Sequence, residues 1–173
     1  MNSTFGESPF KWLPDAEVKR LIAKSRFPLL LETVYFYGLR RSEVGLIKRE
    51  DVTADGIWIH ALKRRGDFKQ FMPLLPPLKG KILKHLMGHC HSYLFPGYKG
   101  NGISGEAVAF IWRQVAPGVG AHCLRRSRAM WFSENGRSRE DCQWWLRQAD
   151  INSTEPYYTI SATRAKSIAI AMA

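Results

Sequence analysis

The chain has 173 residues, 45% of them hydrophobic and 24% charged, a composition that excludes intrinsic disorder and fits one folded domain whose core needs no disulfide staple. Its 26 Lys and Arg stand against 15 Asp and Glu, a formal +11 that points to a polyanionic partner, nucleic acid well before an anionic membrane. No apolar run approaches membrane-spanning length, and MNSTFGESPF lacks a basic-then-apolar signal sequence. The three cysteines, Cys90, Cys123 and Cys142, form no CxxC pair and are expected to be the reduced thiols of a cytoplasmic protein.

LPDAEVKRLIAKS spaces Val18, Leu21 and Ile22 at helical intervals, with Asp15 expected to cap the start. FPLLLETVYFYGLR reads as a buried helix ending near Gly38, after which Ser42 is expected to cap a short helix, SEVGLIKRED. The period then changes to two: Ile57, Ile59 and Ala61 alternate with Trp58, His60 and Leu62, RRGD turns, and FKQFMPL returns, a hairpin with a basic tip. PPLKGKILKHLMGH resumes helix with Leu78, Ile82, Leu83 and Leu86 on one side. Ser104 precedes the helix GEAVAFIWRQVA, and AHCLRRSRAMWFSENG ends at Gly136. Ser138 and Asp141 make a capping-box-like start for REDCQWWLRQ, and TRAKSIAIAMA is a weak final helix. With no repeat and no Gly/Ser linker, the expected class is one mostly α unit with a small antiparallel β hairpin.

Several groups in this frame have chemistry to offer. Arg40 follows the Gly38 break, where a guanidinium, always charged and forked, suits two phosphate oxygens; Glu43, three residues on, is placed to hold an arginine. His122 and Arg125 share a helical face, one able to exchange protons and the other to stabilise charge, and Arg128 repeats the spacing. Lys63 ends the first strand of the hairpin, and Arg64, Arg65 and Lys69 surround its turn. The histidines of KHLMGHCH lack a second ligand pair at zinc spacing and read as surface or helix-end residues, and Trp144 and Trp145 read as core.

Taken in order, Arg40 in GLRRSE, the basic hairpin, HCLR and a tyrosine near the end of LRQADINSTEPYYTI resemble the catalytic domain of the tyrosine recombinases, the phage-integrase family. The family pattern is an arginine in a GLR.SE turn, a hairpin lysine, an HxLR helix, a histidine or tryptophan, and a nucleophilic tyrosine nine residues later; Tyr157 lies nine residues after Gln148. The resemblance implies that fold for a DNA breaking and rejoining enzyme. Arg40 and Arg125 would clamp the scissile phosphate, Lys63 would protonate the leaving 5′ oxygen, and His122 would assist proton transfer. Tyr157 would form a 3′-phosphotyrosine while Tyr158 packs. Arg41, Arg64, Arg65, Lys69, Arg126 and Arg128 would bind double-stranded DNA. It implies neither metal nor other cofactor, and no membrane. The protein would be carried by a prokaryote, phage or mobile element, monomeric in solution and tetrameric on synapsed DNA.

The match departs from the pattern at three places. Arg147-Gln148 replace the usual GH; glutamine donates a hydrogen bond but exchanges no proton, so a retuned activity is expected. Arg41 and Arg126 directly follow the motif arginines, and Lys69 competes with Lys63 for the role of acid. The chain begins almost at the catalytic segment, so the family's N-terminal core-binding domain of ~100 residues is expected to be absent from it, the chain being either a catalytic fragment or one of the short single-domain members. Residues 11–160 would form the catalytic core, with 161–173 a tail docking on a neighbouring subunit. A type IB topoisomerase-like nicking-closing enzyme and a catalytically weakened DNA-binding regulator are the alternatives.

Overall fold

The computed structural model describes residues 11–62, 68–158 and 170. The chain opens with α1 (Asp15–Ala23) and α2 (Pro28–Phe36). Asp15 does not cap α1, because Pro14 holds that position; instead its carboxylate accepts a 2.6 Å hydrogen bond from Tyr35 Oη and pairs with Lys19 at 2.7 Å, tying α1 to α2. Burial raises the Tyr35 phenol far above its ordinary range, which keeps it a neutral donor.

Gly38 turns the chain out of α2 with φ +57, and a Cβ there would lie 2.3 Å from Leu146 Cδ2. Both the conformation and the space demand glycine. The helix expected over SEVGLIKRED is absent. Two single 3-10 turns, Val44–Leu46 and Arg49–Asp51, take its place, and Ser42 supplies no cap. Two contacts forbid a continuous helix. Glu43 turns its carboxylate inward, and Gly45 lies so close to the Ile103 carbonyl that a Cβ would sit 1.9 Å from it.

Strand β1 (Gly56–His60) pairs antiparallel with β2 (Lys69–Pro73), Trp58 opposite Phe71 and Ile59 opposite Gln70. Ile57, Ile59, Gln70 and Met72 face inward as the period of two requires, and Trp58 and Phe71 meet on the open face, rings 5.2 Å apart. The RRGD turn lies outside the described residues. Helix α3 (Pro76–Met87) buries Leu78, Ile82 and Leu86, whereas Leu83, expected beside them, is on the solvent side. Arg49 closes the C-terminal end of α3: its Nη2 donates to Leu86 O at 2.7 Å and to His89 O, and its Nε donates to His91 O at 3.2 Å.

Helix α4 (Gly105–Val115) starts where Ser104 Oγ accepts the Ala107 N–H at 3.1 Å, and it buries Trp112 completely. Helix α5 (His122–Glu134) runs through the middle of the molecule, packed by α1, α2 and α6 (Arg139–Trp145). Gly136 follows its end at φ +66, and the Ser138–Asp141 capping box closes the start of α6 at 3.0 and 3.2 Å. A 3-10 turn, Ile151–Thr154, leads into the short α7 (Glu155–Tyr158), which packs on α5. The expected final helix lies outside the described residues except for Ile170. The observed class is mostly α with a two-stranded antiparallel sheet. Among the described residues no helix is long and apolar enough to cross a membrane.

Gly38→Ala combines a left-handed backbone with a steric conflict against Leu146, so it is expected to lose about 2–4 kcal/mol in urea unfolding. Gly118→Ala, with φ +76 but nothing within 4 Å of the added Cβ, should lose only about 1 kcal/mol. Equal losses would contradict the packing assigned to Gly38.

Candidate active site

The site is organised around one carboxylate with no solvent exposure, that of Glu43. Its Oε2 accepts the Arg40 N–H at 2.8 Å, and its Oε1 accepts Arg40 Nη1 at 2.6 Å, so the residue after the Gly38 turn is held by both backbone and side chain. Arg147 Nη2 reaches Oε2 at 3.3 Å, and Arg125 Nη1 stands 3.9 Å away. Arg125 comes from α5, where it donates from Nη1 to Gly38 O at 2.5 Å and from Nη2 to Leu146 O. Three guanidiniums around one carboxylate leave two positive charges for an anion to meet. Arg40 is the outermost, its side chain 16% exposed against 5% for Arg125 and 0% for Arg147.

Burial acts against every charge in this cluster, and the pairing decides the outcome. Burial pushes the Glu43 carboxyl up, but Arg147, Arg125 and Arg40 together hold it below its ordinary value. Burial, with Arg40 and Arg147 close by, pushes Arg125 down to about 9, opposed by Glu43 and Tyr157. At neutral pH the guanidinium therefore keeps its proton.

Helix α5 also brings up the other expected groups. His122 is its first residue and is exposed, one turn ahead of Arg125. Arg126 acts on the Tyr157 phenol, which rests half-buried on Ala129, Phe132, Cys142 and Leu146. Burial raises the Tyr157 pKa, and Arg126 and Arg125 oppose that rise without overcoming it. Tyr158 is tied differently, donating from Oη to Ser138 O at 2.8 Å. Gln148 is nearly buried, its N–H bonded to Gln143 O at 3.0 Å.

Other expected positions divide. Arg41 is half-exposed and pairs with Glu106 at 2.9 Å; Lys69, at the base of β2, is held by the buried Asp51 at 2.8 Å. Lys63, Arg64 and Arg65 lie outside the described residues. Arg128 corrects an expectation: it does not line a groove face beside Arg125. Its guanidinium is buried over the rings of Tyr35 (4.3 Å), Trp131 (4.9 Å) and Phe36 (5.0 Å), with Nε donating to Tyr35 O at 3.2 Å. A residue three positions beyond Arg125 has rotated toward α2, where stacking on aromatic faces replaces water. Trp145 packs in the core and donates to Phe36 O at 2.9 Å, whereas Trp144 is half-exposed. The His89 ring lies 4.9 Å from that of His85 and 5.4 Å from that of His91, but among the described residues no group of three or more His, Cys, Asp or Glu is arranged to hold a metal.

The sequence reading missed Arg147 as a member of this cluster. Its signal was the arginine standing where the family pattern has glycine: Arg147 adopts a left-handed backbone, φ +54, and sends its side chain inward.

A carboxyl whose pKa is lowered on folding stabilises the fold above its unfolded value and loses that contribution as pH falls through the folded value. Stability of the parent should therefore fall as pH drops below the ordinary glutamate range of about 4.3. Glu43→Gln should be less stable by about 3–5 kcal/mol at pH 7, because it strands buried guanidiniums, and should lose less than the parent on acidification. Urea unfolding from pH 7 to pH 3 checks both; parallel curves would remove Glu43 from the centre of the site.

The Phage integrase family model matches residues 11–164. Tyrosine recombinase XerD of Halalkalibacterium halodurans is 24% identical over 185 residues, covering 97% of this chain and 56% of the relative. XerD of Listeria monocytogenes is 24% identical over 175 residues, covering 88% and 59%. The chain thus spans a little over half the length of these curated relatives. Among solved structures, XerA recombinase superposes with a TM-score of 0.76 at 19% identity, covering 94% of this chain and 63% of that one. XerH site-specific recombinase bound to its difH substrate, in a pre-cleavage complex, gives 0.70 at 23% identity, covering 91% and 52%. These likenesses show a shared fold, and with the family match spanning most of the sequence, the chain belongs to the phage integrase family.

Proposed function

We propose that this chain cuts and rejoins duplex DNA at specific sites as a tyrosine recombinase, through a 3′-phosphotyrosine intermediate. The observation that carries the reading is the fixed pair Arg40 and Arg125, anchored through Glu43 and the Gly38 carbonyl, with Arg126, the next residue of α5, acting on the Tyr157 phenol. Phosphoryl transfer without covalent help from a cofactor depends on positioned cations that meet charge as it develops on the phosphate oxygens.

In this reading Tyr157 Oη attacks the scissile phosphorus. The new O–P bond forms as the bond to the 5′ oxygen breaks, leaving a phosphotyrosine on the 3′ side and a free 5′-hydroxyl. The phenolic proton leaves through His122, and the 5′ oxygen takes its proton from Lys63. The phosphodiester energy is kept, and attack by a 5′-hydroxyl reverses the step. Arg40 and Arg125 hold the non-bridging oxygens, and Gln148 adds a hydrogen-bond donor where the family has histidine or tryptophan. Lys63 is preferred to Lys69 because the Lys69 ammonium is already held by Asp51. Tyr157 is preferred to Tyr158 because the Tyr158 hydroxyl is committed to a backbone carbonyl. Arg126, besides steadying Tyr157, joins Arg41, Arg64, Arg65 and Lys69 on the DNA backbone; Arg128 is left out as a core residue.

Relatives in this family have been solved on DNA: XerH on difH, and a λ integrase dimer on a core site. By analogy the partner proposed here is double-stranded DNA, acted on in the cytoplasm of a cell that carries the gene. Residues 11–160 act as the catalytic unit, assembled as four subunits across two duplexes with 161–173 docking on a neighbour.

The test is a suicide substrate, a nicked duplex with candidate sites in EDTA, read on a denaturing gel. Parent and Tyr158→Phe should accumulate covalent adduct at rates within about tenfold of each other, and Tyr157→Phe should fall by roughly a thousandfold or more. Adduct lost only in Tyr158→Phe would move the nucleophile by one residue. Cognate-site binding with no adduct from the parent would make the protein a regulator.

A further inference from the structure

Arg147 stands apart from the other cations of the site. It has no solvent exposure, so it touches no DNA in this conformation, yet it is one of three guanidiniums around Glu43. Its Nη1 donates to Tyr37 O at 3.0 Å and Trp145 O at 2.7 Å, and its Nη2 to Gly38 O and Glu43 Oε2, both at 3.3 Å. Only its Nε lacks a hydrogen-bond partner. The Gly38 carbonyl is shared with Arg125, so the two buried arginines grip one turn. Arg147 does this from a left-handed backbone, a conformation that side chains rarely adopt. Glycine would be the undemanding residue there.

We propose that Arg147 is a positioning residue for the phosphate clamp: it takes a share of the Glu43 carboxylate, so that Arg40 and Arg125 keep their outward hydrogens for the scissile phosphate. This inference rests on the recombinase reading. Without Arg147, Glu43 would draw its compensation from Arg40 and Arg125 alone. Arg40 Nη1 already meets Oε1 at 2.6 Å, and Arg125 Nη1 stands 3.9 Å from Oε2, near enough to be drawn in. An Arg125 so displaced would release the Gly38 carbonyl it now holds and turn a donor away from the substrate side. Arg147 prevents this by occupying Oε2 and the Gly38 carbonyl together. In this chain the position of the family glycine thus carries an internal counter-charge.

A structural role and a positioning role part at the chemical step. Arg147→Gln keeps a hydrogen-bonding side chain and removes the charge; Arg147→Lys keeps the charge and loses the fork. Both are compared with the parent for duplex Kd and its salt dependence, for the single-turnover rate of adduct formation at saturating nicked DNA, and for melting temperature. Arg147→Gln should cleave about 10–100-fold more slowly, with Kd within about twofold and an unchanged salt slope, since no phosphate contact is removed. Arg147→Lys should recover to within about tenfold of the parent although it melts no higher than Arg147→Gln. Equal cleavage by parent and Arg147→Gln, or losses in both variants that only track melting temperature, would overturn the inference while the recombinase reading stands. A parent that forms no adduct overturns both. Arg147→Gly is the second charge-removing variant, relieved of backbone strain, and it should fall with Arg147→Gln; full activity in it would also overturn the inference.

Discussion

One buried carboxylate governs this site. An ionised Glu43 shut away from water is tolerable only when cations and hydrogen bonds replace its hydration, and here three guanidiniums and a backbone N–H do so. The requirement is mutual. Arg125 and Arg147 are as deeply buried, and each would be stranded without the carboxylate and the carbonyls of Tyr37, Gly38, Trp145 and Leu146. The segments that supply these groups, the turn after α2, the middle of α5 and the end of α6, are therefore fixed to one another by charge as well as by packing. Gly38 is the point where they meet: its carbonyl takes two arginines and its missing side chain leaves room for Leu146.

Two electrostatic scales coexist in the chain. The formal +11 is a long-range field that draws a polyanion and weakens with salt. The Glu43 cluster is local, desolvated and largely immune to salt, and in the proposed reading it sets where a phosphate is gripped rather than whether one arrives. Tyr157 lies between the two. Burial on Phe132, Cys142 and Leu146 keeps its phenol protonated, while Arg126 and Arg125 favour the phenolate. The tyrosine is thus held neutral rather than activated in advance, and in the proposed reading its activation falls to the groups that surround it when DNA is in place.

Much of this was legible in the sequence, for physical reasons that differ by element. The hairpin was readable because Ile57, Ile59 and Met72 alternate with exposed Trp58 and Phe71, and a period of two has no helical alternative. Helices α2, α4 and α5 were readable from Gly38, Ser104 and Gly136, whose conformations or side chains are required at helix ends. The segment after Arg40 was misread as helix because its local pattern is helical, whereas the pairing of the buried Glu43 with Arg125 and Arg147 and the approach of Gly45 to Ile103 are long-range facts. Arg128 was misread for a related reason: spacing placed it on the face of Arg125, and the rings of Tyr35 and Phe36, distant in sequence, took it instead, with Trp131 of its own helix beside them. Arg147 could be seen only as a glycine that was not there, since nothing local says that a side chain at φ +54 turns inward to a carboxylate over a hundred positions away.

The account stands most directly on the identity of the residue joined to DNA. Adduct trapped on a nicked duplex, digested with protease and sequenced by tandem mass spectrometry, should carry its nucleotide remnant on Tyr157, through the phenolic oxygen, at the 3′ end of the cut strand. A remnant on Tyr158, on a serine, or at a 5′ end would contradict the arrangement of arginines and tyrosine described for this site.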